Sequence, residues 1–364
     1  MGGDLDERYM RMALRLARKG AGRTSPNPMV GAVLVRRGRV VGKGYHRRAG
    51  EDHGEIVALK DAGSRARGAT LYINLEPCNH VGRTPPCTVS LIQSGLKEVV
   101  VGMVDPNPLV AGRGIRRLRQ AGIAVRRGPL EKECRRLNEA FIKSITRREP
   151  FIILKLAASM DGRIATATGD SQWITGATAR RYVHQLRDQV DGVLVGVDTV
   201  LNDDPQLTCR LPRGRDPWRI VLDSHLRIRT TARLLTQRGV EKTIVVTGER
   251  VPAARVKAVE RSGAQVWRLP VKGRWIRFPA LLKRLGRLGF LSVMIEGGAA
   301  TAARALSDGV VDRVVFFYAP KVIGGDGKPM IEALGIKALA RSRALEEVEI
   351  KRLGPDLMVT GLLK

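Results

Sequence analysis

Hydrophobic and polar positions along the first part of the chain predict alternating helices and strands. Residues 6–19 carry apolar side chains at helical spacing, and Gly20 follows them as a helix-ending residue. An apolar segment, 30–35, is followed by the segment 39–45 after a short turn of two arginines and a glycine, which indicates a hairpin. The same rules predict helices over 53–62, 88–94 and 115–121 and strands over 70–75, 98–104 and 123–126. This alternation is typical of an α/β layered sandwich.

The alternation stops at residues 144–150 and starts again beyond them. This segment, SITRREP, is polar and charged and ends in proline, which is typical of a domain boundary. The strands predicted beyond it are 151–156, 192–197, 219–222, 243–246, 291–295 and 311–318, with helical patterns between several of them, such as 279–288. We therefore expect two α/β domains in series, over residues 1–145 and 146–364.

Length and composition support a folded protein with two domains. A chain of 364 residues is too long for one ordinary core, and 43% of its residues are hydrophobic. The first residues lack the apolar core of a secretory signal, and no stretch approaches the about 18 uninterrupted apolar residues of a membrane helix. Four cysteines without an export signal favour a reducing cytoplasm, where close cysteines are more often metal ligands than disulfides. We expect a cytoplasmic protein with no membrane segment.

The net charge of +29 allows two interpretations. Lysines and arginines that neutralise phosphates dominate the affinity of nucleic-acid-binding proteins. A solvated basic surface that suits small phosphorylated substrates is the alternative. The basic residues are spread along the chain, and aromatic residues, which stack on unpaired bases, make up only 4%. We therefore favour a phosphorylated small molecule as the partner and expect no nucleic acid.

One histidine, one glutamate and two cysteines form a pattern that indicates a hydrolytic zinc site. They occur as His53-Gly54-Glu55, Pro77-Cys78 and Pro86-Cys87. A zinc ion used for hydrolysis is held by three protein ligands and keeps a fourth position for water, whose pKa it lowers. A carboxylate that is not a ligand then moves protons from the water to the leaving amine. We expect His53, Cys78 and Cys87 to bind zinc and Glu55 to transfer protons.

Each of these residues alone also has a plain structural explanation. His53 could be a surface histidine, Glu55 a charge at a helix start, and the two cysteines buried thiols. Their joint occurrence favours metal binding, and we expect each ligand cysteine near a helix N-terminus, where the helix dipole favours the thiolate. The other cysteines, Cys134 and Cys209, lack paired spacing and are expected to pack as small hydrophobic residues.

Eight residues, NHVGRTPP, separate the two ligand cysteines, whereas cytidine and tRNA adenosine deaminases usually have two residues there. The segment EPCNHVGRTPPC resembles the deaminase domain of the RibD family of bifunctional riboflavin-biosynthesis enzymes. Other stretches that carry the resemblance are TSPNPMVGAVLV (24–35), GYHRRAGEDHGE (44–55) and DPNPLVAGRG (105–114). One departure is Gly54, because the family most often has alanine at this position. Glycine should weaken the start of the helix only slightly. The resemblance implies a cytidine-deaminase-like fold with three α/β/α layers.

The resemblance implies substrate contacts for further residues of the first domain. Asn27 matches an asparagine that contacts the pyrimidine ring, although a simple turn residue between two prolines is equally plausible from the sequence alone. His46, Asp105 and Asn107 match positions near the substrate, while His46 could instead be an exposed histidine at a strand end. Residues of the insert that could receive the substrate phosphate, or form a solvated loop, are His80, Arg83 and Thr84.

From residue 151 the chain is similar to the RibD reductase domain, which has a dihydrofolate-reductase-like fold. The matching stretches are LKLAASMDGRIA (154–165), SQWIT (171–175), VGVDTVLNDDPQLTCR (195–210), VLDS (221–224) and IEGGAAT (295–301). In the last of these, Glu296-Gly297-Gly298 follows a predicted strand and precedes a helix. Glycines at such a turn let cofactor phosphates approach backbone N–H groups at a helix N-terminus. A tight turn is the commoner explanation when Gly-Gly stands alone.

The resemblance also implies which residues of this domain contact cofactor and substrate. Those implied to contact NADPH are Ala157, Trp173, Thr199, Asp203, Ser224, Gly298, Ala299 and Thr301. Those implied to contact the substrate are Ser171, Arg187, Leu207, Arg210 and Glu296. Arg187 and Arg210 suit a phosphate ester because guanidinium binds its oxygens bidentately, although surface charge is an alternative. Trp173 could be a core residue, and Lys155 could be either catalytic or paired with an acid.

Together these resemblances imply an enzyme with two activities. The first domain would deaminate a diaminopyrimidinone ribosylamine 5'-phosphate with one zinc ion, and the second would reduce the ribosyl group to ribityl with NADPH. Family members commonly form dimers or tetramers, so a homo-oligomer is expected. The alternatives are an RNA or nucleoside deaminase whose second half only binds, and a basic nucleic-acid-binding protein without zinc.

Overall fold

The structure is a computed structural model that describes residues 2–79, 86–108 and 110–364. The chain divides into two compact units, Met1–Arg148 and Glu149–Lys364, and the division lies within the 144–150 segment. Within the described residues, helix length and hydropathy together rule out a helical membrane span. Insert residues His80, Arg83 and Thr84 lie outside the described residues.

The first unit is one sheet with helices against it. Its strands are β1 Gly31–Arg36, β2 Arg39–Tyr45, β3 Thr70–Ile73, β4 Glu98–Val101 and β5 Ala124–Arg127. Its helices are α1 Gly2–Ala17, α2 Gly54–Ala62, α3 Cys87–Gln93, α4 Arg113–Gln120, α5 Glu131–Leu137 and α6 Glu139–Arg147. The sheet order is β2-β1-β3-β4-β5, with β1 antiparallel to both neighbours and β3, β4 and β5 parallel.

Two glycines show why helices cover both faces of this sheet. A Cβ on Gly31 would lie 2.1 Å from the carbonyl oxygen of Ala13 in α1, so only glycine lets α1 approach β1 this closely. A Cβ on Gly44 would lie 2.4 Å from the backbone nitrogen of Ala58 in α2. Gly44 pairs with Ala32, the neighbour of Gly31, and successive residues of a strand face opposite sides. Helices α1 and α2 therefore lie on opposite faces, which makes three layers.

Among the described residues, the second unit has a nine-stranded sheet and four short strands that form two separate pairs. Its strands are β6 Phe151–Ser159, β7 Arg163–Ala165, β8 Gly192–Gly196, β9 Trp218–Leu222, β10 Thr243–Thr247, β11 Gln265–Arg268, β12 Val271–Lys272, β13 Trp275–Ile276, β14 Ser292–Ile295, β15 Arg313–Ala319, β16 Lys328–Pro329, β17 Leu345–Leu353 and β18 Asp356–Leu363. The two separate pairs are β12 with β13 and β7 with β16. Its helices are α7 Ala177–Gln189, α8 Val197–Asp203, α9 Arg233–Thr236, α10 Ala253–Glu260, α11 Phe278–Arg287 and α12 Ala299–Ser307.

The nine strands run in the order β11-β10-β9-β8-β14-β6-β15-β18-β17. The strands from β11 to β15 are parallel, and β18 and β17 are antiparallel to their neighbours. A strand that is buried on both faces usually has a continuous apolar sequence. Strand β10, Thr243–Thr247, is an example, since all of its residues are buried. Loops at the carboxyl ends of these parallel strands are where ligands usually bind in such sheets.

The predicted elements are confirmed in kind, but several elements were not predicted, among them the apolar strand β18 and some charged segments. Helices α5 and α6 were not predicted because their sequence is rich in charge, and α6 extends to Arg147, into the segment interpreted as a linker. Arg148, with φ of 57°, ends this helix. Strand β17 was not predicted either, since most of its residues are exposed at the edge of the sheet.

Candidate active sites

Three side chains from separate parts of the first unit come together as the sequence predicted. His53 precedes α2 in an extended conformation, Cys87 is the first residue of α3, and Cys78 lies in the loop after β3. The Nδ1 atom of His53 lies 3.2 Å from the sulfur of Cys87 and 3.7 Å from that of Cys78. All three ligand atoms lie within 4.8 Å of one another. This spacing suits a single metal ion bound by all three.

Both cysteines lie near a helix N-terminus as expected, but they reach it in different ways. Cys87 begins a helix, but Cys78 follows a strand and is not itself in a helix. Its sulfur nevertheless accepts the backbone N–H of Cys87 at 3.5 Å, so both sulfurs lie at the start of α3. Hydrogen bonds from Cys87 and His53 lower the pKa of Cys78 to about 4. The hydrogen bond with Cys78 raises the pKa of His53, because a thiolate favours a protonated imidazole.

Glu55 lies beside this cluster in the first turn of α2 and is only 2% exposed. Burial raises the pKa of its carboxyl group, and the nearby His53 opposes that effect. Among the described residues, its Oε2 atom has no hydrogen-bond partner, which is rare for a buried carboxylate oxygen. One imidazole, two thiolates and an unsatisfied acid fit a zinc ion with three protein ligands and a water in reach of the acid.

Asn27 and His46 form a pair next to the cluster. The His46 ring is 1% exposed and meets the His53 ring edge-on, with centroids 5.2 Å apart. Its Nδ1 atom donates to the carbonyl of Asp52 at 3.0 Å, so its Nε2 atom accepts the amide N–H of Asn27 at 3.1 Å. Burial lowers the pKa of His46, which keeps the ring neutral and able to accept. The alternative of an exposed histidine is therefore wrong.

Two buried asparagines that the sequence interpretation missed hold the loop that carries Asn27. Asn138, 1% exposed, accepts the backbone N–H of Met29 at 2.8 Å and donates to its carbonyl at 3.0 Å. Asn74, fully buried, donates to the same carbonyl at 2.9 Å and accepts from Gly31 at 2.8 Å. Both backbone groups of Met29 are thus fixed by side chains distant in sequence, and so is the position of Asn27 two residues earlier.

Glu76, also missed, organises the segment that contains Asp105 and Asn107. Its carboxylate, 3% exposed, accepts backbone N–H groups of Asp105 at 3.2 Å, Gly112 at 2.9 Å and Ile115 at 3.1 Å. Asp105 in turn accepts the backbone N–H of Asn107 at 2.8 Å. Since Glu76 is two residues before Cys78, it joins the 105–115 segment to the loop that carries a metal ligand. An acid beside a Pro-Cys pair was the available sequence signal.

A cavity of about 1430 Å³ in the second unit brings together every residue to which the resemblance assigned a contact there. Its wall includes Ala157, Ser171, Trp173, Arg187, Thr199, Asp203, Leu207, Arg210, Ser224, Glu296, Gly298, Ala299 and Thr301. The volume exceeds the about 300–1,000 Å³ of usual ligand sites, which suits two ligands in contact, such as a dinucleotide and a substrate. Trp173 is 59% exposed, so its interpretation as a core residue is wrong.

The glycine turn after β14 has the shape of a phosphate cradle. Gly297 and Gly298 have φ of 114° and 78°, values that glycine adopts without strain, and α12 begins at the next residue. A Cβ on Gly298 would lie 3.3 Å from the hydroxyl of Thr199 and 3.4 Å from that of Thr301. Two hydroxyls and a helix N-terminus therefore surround a space that a side chain would fill. This arrangement fits the diphosphate of a dinucleotide.

A buried ion network lies on the wall of the same cavity. Arg187 donates from Nε and Nη2 to the two oxygens of Glu296 at 2.6 and 2.9 Å, and from Nη1 to the carbonyl of Thr208 at 2.9 Å. The Nζ atom of Lys155 lies 3.7 Å from Glu296. Burial alone would raise the pKa of Glu296, but Arg187 and Lys155 together lower it to about 2. Burial lowers the pKa of Lys155.

This network changes the interpretation of Arg187. Its bidentate face is occupied by Glu296, so the expectation that Arg187 binds a phosphate ester bidentately does not fit the structure. Arg210, which is exposed, remains available for that role. Lys155 is paired with an acid, as one of its two interpretations proposed.

Comparison with known proteins agrees with both sites. The family described as RibD C-terminal domain matches residues 150–359, and the cytidine and deoxycytidylate deaminase zinc-binding region matches residues 4–103. The riboflavin biosynthesis protein RibD of Aquifex aeolicus is 44% identical over 98% of this chain and 98% of its own length. That of Escherichia coli is 42% identical over 97% of this chain and 98% of its own. The chain belongs to the RibD family.

Solved structures of the RibD family show the same fold. Acinetobacter baumannii RibD superposes with a TM-score of 0.89 at 35% identity, and covers 99% of both chains. A Thermotoga maritima protein, described as a diaminohydroxyphosphoribosylaminopyrimidine deaminase and 5-amino-6-(5-phosphoribosylamino)uracil reductase, superposes with a TM-score of 0.86 at 35% identity over 100% of both. The chain is accordingly a bifunctional deaminase and reductase of riboflavin biosynthesis, with a zinc-binding deaminase part and a RibD reductase part.

One further residue of this RibD reductase part was missed by the sequence interpretation. His184 lies on the cavity wall, and its Nδ1 atom accepts the backbone N–H of Arg210 at 3.3 Å. Burial lowers the pKa of His184, and Arg187 and Arg210 lower it further. Arg180, His184 and Arg187 all line the cavity from α7 at helical spacing. This periodicity of basic residues was the signal in the sequence.

Proposed function

We propose that the first unit removes an exocyclic amino group from a diaminopyrimidinone ribosylamine 5'-phosphate by hydrolysis. The buried Oε2 atom of Glu55, which has no hydrogen-bond partner among the described residues and lies beside the three ligand side chains, carries this proposal. The second unit then reduces the ribosyl group of the deaminated product to ribityl with NADPH. The names of the relatives and the two sets of site residues support deamination followed by reduction.

In the first unit, His53, Cys78 and Cys87 hold zinc and Glu55 moves protons. When bound, zinc lowers the pKa of a water toward neutrality. Glu55 takes a proton from that water and delivers it to the leaving amine, and its burial favours the protonated form that can donate. Asn27, held by His46 and by the fixed backbone of Met29, binds the pyrimidine ring through its amide.

In the second unit, the cavity holds NADPH and the ribosyl substrate together. The glycine turn and α12 bind the cofactor diphosphate, with Thr199 and Thr301 beside it. NADPH supplies a hydride from its nicotinamide ring. A network of fixed charges at the end of β14 consists of Glu296, Arg187 and Lys155. Arg210 binds the substrate phosphate. A fixed network of this kind orients a substrate without reorganisation during the reaction.

The test is to follow both steps with purified protein. Metal analysis should find one zinc per chain, and ammonia should be released from the aminopyrimidine phosphate without NADPH. NADPH oxidation should start only after deamination, and should start at once when the deaminated compound is supplied. Ammonia release without any NADPH oxidation would leave only the first activity and support the rival nucleoside deaminase. Tight, salt-dependent RNA binding by a zinc-free protein would contradict both steps.

The proposal also includes the oligomeric state of the protein. We expect the homo-oligomer that family members commonly form, and light scattering of the purified chain measures it. A monomer at micromolar concentration would contradict this expectation without affecting either reaction.

A further inference from the structure

We propose that His184 is a positioning residue of the second unit, which holds the loop that carries Arg210 and so directs Arg210 towards the phosphate of the reductase substrate. This inference rests on the proposed function, which assigns the substrate phosphate to Arg210. Both residues lie on the wall of the cavity, His184 on α7 and Arg210 in the loop between α8 and β9. The resemblance gave a role to Arg210 and none to His184.

The loop that carries Arg210 has no helix or strand of its own. It begins after α8 ends at Asp203 and continues to the start of β9 at Trp218. Leu207 in this loop is 3% exposed and has a φ of 52°, in the left-handed region. A leucine keeps that conformation only where the surrounding structure holds it. The course of the loop is therefore set by its contacts with neighbouring elements.

Three consecutive residues of the loop form hydrogen bonds with α7. Arg187 donates from Nη1 to the backbone carbonyl of Thr208 at 2.9 Å. The thiol of Cys209 donates to the backbone carbonyl of His184 at 3.4 Å. The backbone N–H of Arg210 donates to Nδ1 of His184 at 3.3 Å. His184 is thus the residue of α7 whose side chain holds the backbone of Arg210.

A second set of contacts holds the other side of the loop. The backbone N–H of Cys209 donates to the carboxylate of Asp216 at 2.7 Å. A Cβ on Gly214 would lie 2.4 Å from the sulfur of Cys209, so the two arms of the loop pack directly on each other. Because the loop is also held on this side, loss of the contact with His184 should move Arg210 without opening the loop.

A neutral histidine suits this contact better than an acid does. The Nδ1 atom can accept a hydrogen bond only while it carries no proton. Burial lowers the pKa of His184, and Arg187 and Arg210 lower it further, which keeps the ring neutral. A carboxylate at this position would also accept the N–H, but its charge would compete with the phosphate for the guanidinium of Arg210. His184 therefore holds the backbone and leaves the charge of Arg210 to the phosphate.

The backbone of Arg210 needs this support because a guanidinium binds phosphate through two parallel hydrogen bonds of fixed geometry. The side chain of Arg210 is exposed, whereas the bidentate face of Arg187 is occupied by Glu296. Through Arg187 and Thr208 the same loop is joined to Glu296 at the end of β14. Helix α7 thus sets the position of Arg210 relative to the buried ion network.

The reductase step with two substrates measures this role. The substrates are the deaminated compound and the same compound without its 5'-phosphate, each with saturating NADPH. H184F keeps an aromatic ring but has no acceptor, whereas H184N places an oxygen where Nδ1 lies. H184F should raise the KM for the phosphorylated compound about tenfold and change kcat less than about twofold, since it weakens a contact made in the ground state and the transition state alike. H184N should restore most of the wild-type KM.

Controls separate this role from a general effect on packing. Without the phosphate, wild type and H184F should have the same kcat/KM. In the R210Q background H184F should raise the KM no further, because a residue that acts through Arg210 has no effect once that arginine is gone. Q185N, a change on the exposed side of α7 outside the cavity wall, should behave as wild type. H184L, which also lacks an acceptor, replaces H184F if that variant does not fold.

Two results would overturn the proposal while leaving the reductase function intact. An H184N variant as impaired as H184F would show that the ring matters and the acceptor does not. Equal losses with the phosphorylated and dephosphorylated compounds, or a further loss in the R210Q background, would show that His184 does not act through Arg210. A wild type that reduces both compounds equally well, or that oxidises no NADPH with either, would instead contradict the proposed function on which this inference rests.

Discussion

Two buried acids of the first unit differ in what their oxygens contact. Glu76 accepts three backbone N–H groups, whereas Oε2 of Glu55 has no hydrogen-bond partner among the described residues. A buried acceptor without a partner costs about 1–3 kcal/mol, so its retention indicates a partner supplied by a ligand. These contacts indicate a structural role for Glu76 and support the proposed proton transfer by Glu55, although both side chains are almost fully buried.

The Glu55→Gln variant should lose deamination and keep zinc. The amide has the shape of the acid but cannot carry the transferred proton, which contributes about 10²–10⁴-fold to such reactions. Ammonia release should fall by at least about 100-fold, while metal analysis still finds zinc. Reduction of the deaminated compound is the internal control and should not change. Deamination at the wild-type rate would show that another group moves the proton.

The Asn138→Ala variant should raise the KM for deamination more than it lowers kcat. It removes both hydrogen bonds to Met29, so the loop with Asn27 moves while the zinc ligands stay in place. Leaving the Met29 backbone groups without these partners should also lower the free energy of unfolding by about 1–3 kcal/mol. Asn138→Asp, which keeps the acceptor for the Met29 N–H, should be affected less. Equal losses in zinc content and kcat would instead mean that the whole site had collapsed.

The Glu296 carboxylate should stabilise the second unit in a pH-dependent way. Its pKa is about 2 when folded against 4.5 for an ordinary glutamate, so the stabilisation is complete above about pH 4.5 and is lost as the pH falls towards 2. A shift of this size corresponds to about 3 kcal/mol. The difference in unfolding free energy between wild type and Glu296→Gln should therefore be largest near pH 7 and shrink below pH 4.5. Urea unfolding at several pH values measures it, and a difference independent of pH would contradict the assignment.

At the scale of elements, both sites are built from loops at the carboxyl ends of parallel strands. The loop after β3 carries Cys78, and the segments that follow β8, β9 and β14 carry many of the cavity residues. Glycine is needed where the end of β8 meets α12: a Cβ on Gly196 would lie 2.5 Å from the hydroxyl of Thr301. The strands fix where the loops begin, and the glycines let the loops approach a ligand.

Replacing Gly298 by alanine should weaken NADPH binding. The new Cβ would lie 3.3 Å from Thr199 and would need a φ of 78°, which costs alanine about 1–2 kcal/mol. We expect the KM for NADPH to rise about tenfold, consistent with a loss of about 1.4 kcal/mol. The matched control is Gly335→Ala, whose φ of 68° carries a similar strain but whose Cβ would meet nothing within 4 Å. An equal effect of both variants on the KM would show that strain alone is responsible.

The sequence was informative wherever a residue acts through its own type and spacing. His53, Cys78 and Cys87 were predicted because a zinc site needs those donors. Buried strands such as 243–246 were predicted from their apolar runs, and the structure has this one over Thr243–Thr247. Asn138 was missed because its role exists only through contacts with Met29, distant in sequence. The pairing of Arg187 with Glu296 was missed for the same reason, since an arginine is equally suited to a phosphate or a carboxylate.

At the scale of the whole molecule, the two units have separate cores and separate sites. The metal ligands lie in Met1–Arg148, and the cavity lies in Glu149–Lys364. The hydrophobic clusters of the second unit contain no residue of the first. The residues proposed for each reaction therefore all come from one unit, and the net charge of +29 suits phosphorylated compounds.

Removal of zinc should therefore separate the two activities. Treatment with a chelator should abolish ammonia release, while NADPH oxidation with the deaminated compound continues at its original rate. Adding back one equivalent of zinc should restore deamination, since the ligands His53, Cys78 and Cys87 remain in place. Loss of both activities on chelation would show that the second unit depends on the metal of the first.

The closeness of the two ligand sulfurs affects how such a metal-free sample has to be handled. The sulfurs of Cys78 and Cys87 lie within 4.8 Å of each other. In air, these sulfurs would form a disulfide or be oxidised to sulfinic and sulfonic acids, and either product would block the binding of zinc. A thiol reductant readily reverses only the disulfide. Stocks prepared by chelation therefore need an oxygen-free buffer, and a titration of accessible thiols before zinc is returned would reveal any loss.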